Sequence, residues 1–329
     1  MFHDYFEKFY RDVFFPMCKA RGVDVILHGG DLFDRRKYID YFSLMRSKDY
    51  FFNEVESSGM HMYVLVGNHD IPYRNTLRAN SPELLLTEYK SITPISSPKV
   101  IDVGVQVAMI PWICADNYDE SMKLIKNTAA PVCLGHFEIK GFAMYRGMES
   151  HEGFDSSMFK RFDLVMSGHY HHRGSRDNIR YLGNPYEITW QDCADTRGFH
   201  ILDTEKMTLE FIKNPYTLFE RVVYDDVANL VPDVTTLKDK FVKLVVQKKT
   251  DFYKFDLFLD KLYNCGAYDI KIAEDLAEIS QEELDESVDI EDTFSILEHY
   301  IEESDASVDK KKLTSYIKGL YTEAINVAT

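Results

Sequence analysis

No stretch of the 329 residues stays apolar for the roughly 18 positions that a membrane-spanning helix needs. Nor does a charged and then apolar leader precede the first amphipathic segment, so neither insertion nor secretion is expected, and the cytoplasm is the expected compartment. A disulfide framework is also missing. The cysteines Cys18, Cys114, Cys133, Cys193 and Cys265 are odd in number, scattered and mostly in apolar surroundings, as reduced core residues would be. An excess of positive charge is absent as well, because the formal net charge is −16. Most of that deficit is local. Residues 274–305 contain 14 Asp or Glu and no Lys or Arg, and setting those 14 aside leaves −2. The rest of the chain is near neutral, so its charge does not exclude a polyanionic partner. With 45% hydrophobic residues it can bury a large core and divide into more than one domain.

What is present is a set of short apolar runs that end abruptly in chemistry. Val25-Ile26-Leu27 leads into His28-Gly29-Gly30-Asp31-Leu32-Phe33-Asp34, and Met62 to Val66 leads into Gly67-Asn68-His69-Asp70. Val132-Cys133-Leu134 leads into Gly135-His136-Phe137-Glu138, and Leu164 to Ser167 into Gly168-His169-Tyr170-His171. Buried strands gain nothing in packing by ending in Asp, Asn and His. Ligand-binding groups in open α/β sheets do converge beyond the carboxyl ends of strands, and the glycines suit tight exits.

The residue types suit a cation. Asp31 has two oxygens able to bridge two ions, Asn68 an amide oxygen, and His136, His169 and His171 imidazole nitrogens. Mixed N/O ligation without thiolate favours borderline or hard ions such as Mn²⁺, Fe²⁺ or Zn²⁺. Two ions roughly 3.5–4 Å apart would clamp a phosphate and activate water. His69, beside a ligand, would act as catalytic acid or stabilise charge. Arg35, Arg36 and Lys37 follow the first loop, Arg74 and Arg78 the second, and Arg173 the last. A charge run is usually a solvated face, but these six lie beside the metal-bearing loops and are candidate phosphate contacts.

The chain divides as follows. Residues 1–205 alternate helix-like and strand-like segments, which predicts an α/β sandwich of two mixed sheets flanked by helices. Phe2, Phe6, Phe9, Val13 and Met17 are spaced like one face of an opening helix. The segment from Tyr186 to Arg197, with Trp190, reads as a loop near the site, either contacting substrate or purely structural. Residues 206–273 form a smaller α/β block with strands near 208–212, 219–224 and 241–246 and a helix over 252–263. Residues 274–292 read as an acidic linker and 293–329 as a helical tail. Phe294, Leu297 and Ile301 form one stripe, and Leu313, Tyr316, Ile317, Leu320 and Tyr321 another, each spaced either to pack back on the globular domain or to dock into a partner's groove.

The ordered strings GD, GNHD, GH and GHxH resemble those of the calcineurin-like metallophosphoesterases. Within that superfamily they resemble the SbcD-type DNA repair nucleases, the recombination endonuclease subunits of T-even-like phages among them. That resemblance implies a metallophosphoesterase domain, a small capping domain over 206–273 and a helical tail over 293–329. It implies that Asp31 bridges two divalent ions, Mn²⁺ or Mg²⁺, with Asn68, His136 and His169 on one, His171 on the other and His69 acting on the transition state. It also implies double-stranded DNA and its ends as substrate, an SbcC-type coiled-coil ABC ATPase as partner, and the host cytoplasm if the gene is a phage's. Homodimerisation is left open. One departure is plain: the family's opening strand ends in Asp-x-His, and no such string occurs here. The expectation is a reading frame that extends upstream of Met1 by roughly 10–30 residues and supplies that strand. The alternatives are a catalytically silent scaffold for DNA and ATPase, and a phosphatase or cyclic nucleotide phosphodiesterase.

Overall fold

The computed structural model describes residues 1–145, 148–273 and 313. The acidic linker and, Leu313 apart, the tail residues Phe294, Leu297, Ile301, Tyr316, Ile317, Leu320 and Tyr321 lie outside the described residues.

Three parallel strands, β1 (Val25–His28), β2 (His61–Leu65) and β3 (Ile92–Ile95), form the first sheet in that order. The second sheet contains β4 (Lys99–Asp102), β5 (Gln106–Ile110) and β6 (Val132–Gly135). After a short hairpin, β7 (Ala143–Tyr145) with β8 (Met148–Glu149), it gains β9 (Leu164–Ser167), β10 (Gly174–Arg176) and β11 (Ile179–Tyr181). Its order is β10-β11-β9-β6-β5-β4, parallel through β11, β9, β6 and β5 with an antiparallel strand at each edge.

Alternation of side chains along these strands builds the layers. Leu65 and Ile95 of the first sheet meet Val107, Met109, Val132, Leu134, Leu164 and Met166 of the second in one buried cluster. The intervening residues Ala108, Ile110, Cys133 and Val165 face the opposite way, against the helix Tyr118–Asn127 and the turn Ser156–Phe159. Met62 and Val64 likewise point away from the second sheet, towards two long helices. The result is a sandwich of two mixed or parallel sheets with helices outside. Both faces of β6 and β9 are buried along their whole length, which is why they read as unbroken apolar runs.

The opening helix runs from Phe2–Phe9 through a π-helical turn at Tyr10–Phe14 into Phe15–Ala20. Pro16 has no N–H to donate to the previous turn, and the backbone widens just before it. The widening moves the buried face. Tyr5, Phe9, Tyr10, Phe15 and Cys18 are buried, whereas Val13 and Met17 of the expected stripe are only half-buried. The second helix begins at Asp40, whose carboxylate caps the Ser43 amide at 2.8 Å, and it too passes through a π turn, Lys48–Phe52.

β12 (Gly198–Asp203) and β13 (Thr208–Lys213) form a hairpin that straddles the boundary expected at residue 205. Among the described residues the outer edges of β1 and β12 carry no strand, and every residue of β1 is half-exposed. The smaller unit follows: β14 (Phe219–Asp225), β15 (Phe241–Lys248) and β16 (Asp269–Ala273) are parallel, with the helix Phe252–Tyr263 crossing between the last two. Tyr224, Leu244, Phe255, Phe258 and Leu262 form its own core. All five cysteines are free thiols, four of them buried.

A buried carboxylate joins the two units. Glu187 Oε2 accepts the Leu218 and Phe219 amides at 2.5 and 2.9 Å, while Oε1 has no hydrogen-bond partner. Burial outweighs those amides and pushes the Glu187 carboxyl up to about 7. The folded state therefore holds its proton after the unfolded chain has lost it, so stability should fall as pH rises from about 4.5 to about 7. Replacing Glu187 by Gln should remove up to roughly 3 kcal/mol of that fall. Urea denaturation of both proteins at pH 5 and pH 8 measures it, and an identical pH slope for the two would contradict this account.

Candidate metal centre

All four motif loops leave the same end of the two packed sheets. β1 and β2 deliver Asp31, Asn68 and His69, and β6 and β9 deliver His136, His169 and His171. Asp31, His136 and His169 each offer a ligand atom, and these atoms lie within 4.8 Å of one another. Asn68 belongs to the same knot, its Oδ1 lying 2.8 Å from His136 Nε2 and 3.0 Å from His169 Nδ1. His171 lies beyond this group on the exposed rim, within electrostatic reach of Asp31.

The protonation pattern tests whether a cation fits. His136 Nδ1 is 2.7 Å from the Gly29 carbonyl, which can only accept, so that nitrogen carries the hydrogen. In the neutral ring Nε2 is then a bare lone pair, aimed at Asn68 Oδ1 and at Asp31 Oδ2, 3.1 Å away. Two oxygens and one nitrogen lone pair pointed at one another repel unless positive charge lies between them. Without an ion the ring itself takes up the proton. Burial alone would depress His136, but the adjacent carboxylate of Asp31 raises it above the ordinary histidine value. A ligating histidine with its other nitrogen on a backbone carbonyl is also the arrangement that fixes tautomer and ring plane.

The other groups are poised alike. Burial pushes Asp31 up, yet the neighbouring histidines hold it below the usual carboxylate range. Burial drives His169 down to about 3 and His28 down to about 4, so both are neutral. Once His136 yields that extra proton, the site offers one carboxylate charge among neutral donors, a set that suits a divalent ion.

The loops are tightly held. Asp31 (φ 52°) and His169 (φ 81°) adopt left-handed backbone that non-glycine residues rarely occupy. Such strain persists only where the surroundings over-determine it. Asp31 Oδ1 accepts the His69 amide at 2.8 Å, which leaves Oδ2 for the centre. Asp70 is fully buried and accepts the amides of Gly67, Leu32 and Phe33 at 2.9, 3.0 and 3.3 Å, and the Ser81 hydroxyl at 3.2 Å. It ties the second loop to the first. Burial, then the charge of Asp31, lifts its carboxyl to about 6 against those amides. Trp112 closes one side, its ring 6.0 Å from that of His136 and 5.4 Å from that of His169.

Sequence reasoning gave neither Asp70 nor Trp112 a role. Asp70 stands inside the GNHD string, and Trp112 follows the apolar run of β5, so the strand-end rule that found the others would have found both. His69 is half-buried, and its Nδ1 donates to the Asp34 carbonyl at 2.8 Å. The six basic residues are less uniform than their spacing implied. Arg35 is bonded to the Tyr38 hydroxyl at 2.6 Å, Arg78 is 3.8 Å from Asp116, and the Arg173 guanidinium lies 3.5 Å over the Phe211 ring. Lys37 and Arg74 are exposed and Arg36 half-buried. Trp190 packs against Phe219 within a buried cluster rather than at the site.

The closeness of the loops makes a prediction at Gly67. A Cβ there would collide with the Asp31 carboxylate and amide, both held in place. Gly67→Ala should destabilise the fold by about 1–3 kcal/mol, as overpacking does. It should also weaken Mn²⁺ binding, as calorimetry and denaturant titration will show. Unchanged affinity would mean that the loop yields freely.

The calcineurin-like phosphoesterase family model matches residues 2–173. Exonuclease subunit 1 of Enterobacteria phage T4 is 30% identical over 310 residues, 93% of this chain and 89% of that protein. The SbcD component of nuclease SbcCD from Escherichia coli (strain K12) is 22% identical over 290 residues, 73% of this chain and 72% of that one. DNA double-strand break repair protein Mre11 of Methanocaldococcus jannaschii is 26% identical over 199 residues, 55% and 51% of the respective chains. No helix among the described residues is long and apolar enough to cross a membrane. With one family spanning more than half its length and bearing all four motif loops, this chain belongs to the calcineurin-like phosphoesterases.

Proposed function

We propose that this chain is a DNA nuclease subunit that hydrolyses phosphodiester bonds at DNA ends in recombination and repair. It uses two divalent ions, Mn²⁺ or Mg²⁺, and acts with a coiled-coil ABC ATPase of the SbcC type. The observation that carries the reading is the convergence of Asp31, Asn68, His136 and His169 on one point, with His69 anchored beside it. The names of the relatives, all nuclease or strand-break repair proteins, support the substrate class.

Asp31, Asn68, His136 and His169 would hold one ion, and Asp31 with His171 would contribute to the other. Bound ions supply Lewis acidity to phosphoryl oxygens and lower the pKa of a water. The remaining chemistry belongs to the chain. His69 Nδ1 is committed to the Asp34 carbonyl, so Nε2 is the nitrogen that would carry a proton to the leaving oxygen. Trp112 packs its ring beside the two histidines. Arg35, Arg36, Lys37, Arg74, Arg78 and Arg173 would meet backbone phosphates around the loops. Residues 206–273 would shape access as a capping domain, 274–292 tether, and 293–329 dock on the ATPase.

A second reading, a scaffold that binds DNA and ATPase without cutting, is favoured by one feature. Two side chains of this sequence, Asp31 and His171, are proposed for the ion on the His171 side, against four for the other. Linear duplex DNA incubated with the chain and Mn²⁺ separates the two readings, because the scaffold binds the DNA and leaves it whole.

Two outcomes are expected. With the expected N-terminal strand supplied, His69→Ala should slow cleavage by about 10²–10⁴-fold while metal content and DNA binding hold. If the variant instead loses metal, His69 is a ligand and not a proton donor. Deleting residues 286–329 should abolish capture of the ATPase, since each buried stripe residue contributes roughly 1.5–3 kcal/mol. The truncated chain should melt as the full one does. Early melting with binding retained would place the tail in the core instead.

A further inference from the structure

The loop that carries His171 is held from below by a buried charge network that nothing in the catalytic scheme uses. Arg197 and Asp192 form an ion pair at 2.6 Å with side chains only 2% and 1% exposed. Burying such a pair is costly, and apolar residues of similar volume would often stabilise a fold better. The value of this one lies in where its remaining bonds go. Arg197 Nη1 donates to the backbone carbonyl of His171, and the Asn184 amide donates to the same oxygen at 3.0 Å. Both lone pairs of that carbonyl are therefore used, which fixes the peptide plane following His171. The next residue is tied as well. His172 Nδ1 is 2.7 Å from Asp195 Oδ2, which also lies 3.1 Å from Arg197.

The network has a rigid base. Asp192 Oδ2 accepts the amides of Ile188 and Thr189 at 2.7 and 2.9 Å, and Trp190 and Cys193 on either side of it pack with Leu218 and Phe219. Force is thus transmitted from a packed core through Asp192 and Arg197 to one backbone atom of an otherwise irregular, exposed loop. We propose that Arg197 is a positioning residue for His171, with the planar guanidinium holding the imidazole at the angle from which it can ligate an ion. Lysine cannot replace it, because a single ammonium cannot reach Asp192 and the carbonyl in one plane. The inference rests on the reading of His171 as a ligand, and the experiment separates the failure of one from the failure of the other.

Mn²⁺ binding to the full chain is measured by calorimetry and by the electron paramagnetic resonance of free ion, with a melt of each variant. The wild type should hold one tight and one weaker ion. His171→Ala should abolish the weaker ion only. Arg197→Lys keeps a charge against Asp192 and should weaken that same ion by about 10–100-fold, as loss of a partner behind a ligand does. The tight ion should stay unchanged. The double variant should be no worse than His171→Ala alone, because a residue that acts only through another adds nothing once the other is gone. If Arg197→Lys leaves the weaker ion untouched, or lowers the affinity of both ions, the positioning role is wrong. If His171→Ala itself leaves both ions bound, the ligand reading fails first. Should Arg197→Lys not fold, Asp195→Asn loosens the network at its half-exposed end and is judged by the same selective loss.

Discussion

A hydrogen bond joins the two sheets at the candidate centre. His136 leaves β6 of the second sheet and gives its Nδ1 hydrogen to the Gly29 carbonyl, at the exit of β1 in the first. That bond decides which nitrogen faces Asp31 and Asn68, and it needs the sheets to stay packed to within a fraction of an ångström. Their packing rests in turn on Leu65 and Ile95 against Val107, Met109, Leu134 and Met166, all at most 4% exposed. A sandwich loosened anywhere along that cluster would move the nitrogen off its target, since close-packed interiors transmit displacement rather than absorb it.

The surrounding polar groups divide the labour. Asp70 holds two loops together through backbone amides, and Asp31 spends one oxygen on the His69 amide so that the other is aimed. The left-handed backbone at Asp31 and His169 is tolerated because these ties leave no alternative. On the opposite side Arg197 and Asp192 give the His171 loop the same kind of support by a buried ion pair. Local instability is thus concentrated at the centre and offset by the packing around it, as expected where lone pairs must be pointed at one another before an ion arrives.

The edges of the sheets carry a different message. β1 is half-exposed along its whole length although its residues Val25, Ile26 and Leu27 are apolar, and β12 pairs only with β13 among the described residues. Parallel strands with apolar faces are ordinarily covered on both sides. The smaller unit shows the contrary case. Its central strand β15 is buried from Val242 to Val246, with Lys243 also inside and its ammonium 4.4 Å over the Trp190 ring. The interface between the two units is therefore built around Trp190, Phe219 and a buried cation rather than around the candidate centre.

Much of this was legible in the residues. Unbroken apolar runs marked β2, β6 and β9 within a residue of their ends, and for β6 and β9 burial on both faces leaves no other pattern; the helix Phe252–Tyr263 was expected with its own bounds. The strand-end rule picked out Asp31, Asn68, His136 and His169, whose side chains do meet. The phase of the opening helix was not legible: the π turn ahead of Pro16 adds a residue, and the buried face passes from Val13 and Met17 to Phe15 and Cys18. Nor could spacing tell that Trp190 faces the core and Arg173 stacks on Phe211, since both depend on strands far away in the chain. Sequence alone determined the inventory of candidate ligating groups and which strands would carry them, for a side chain's donor chemistry and a strand's alternation are local properties. Tertiary structure alone decided which nitrogen of His136 is bare and which backbone atom Arg197 holds, because each is fixed by a partner more than twenty residues distant.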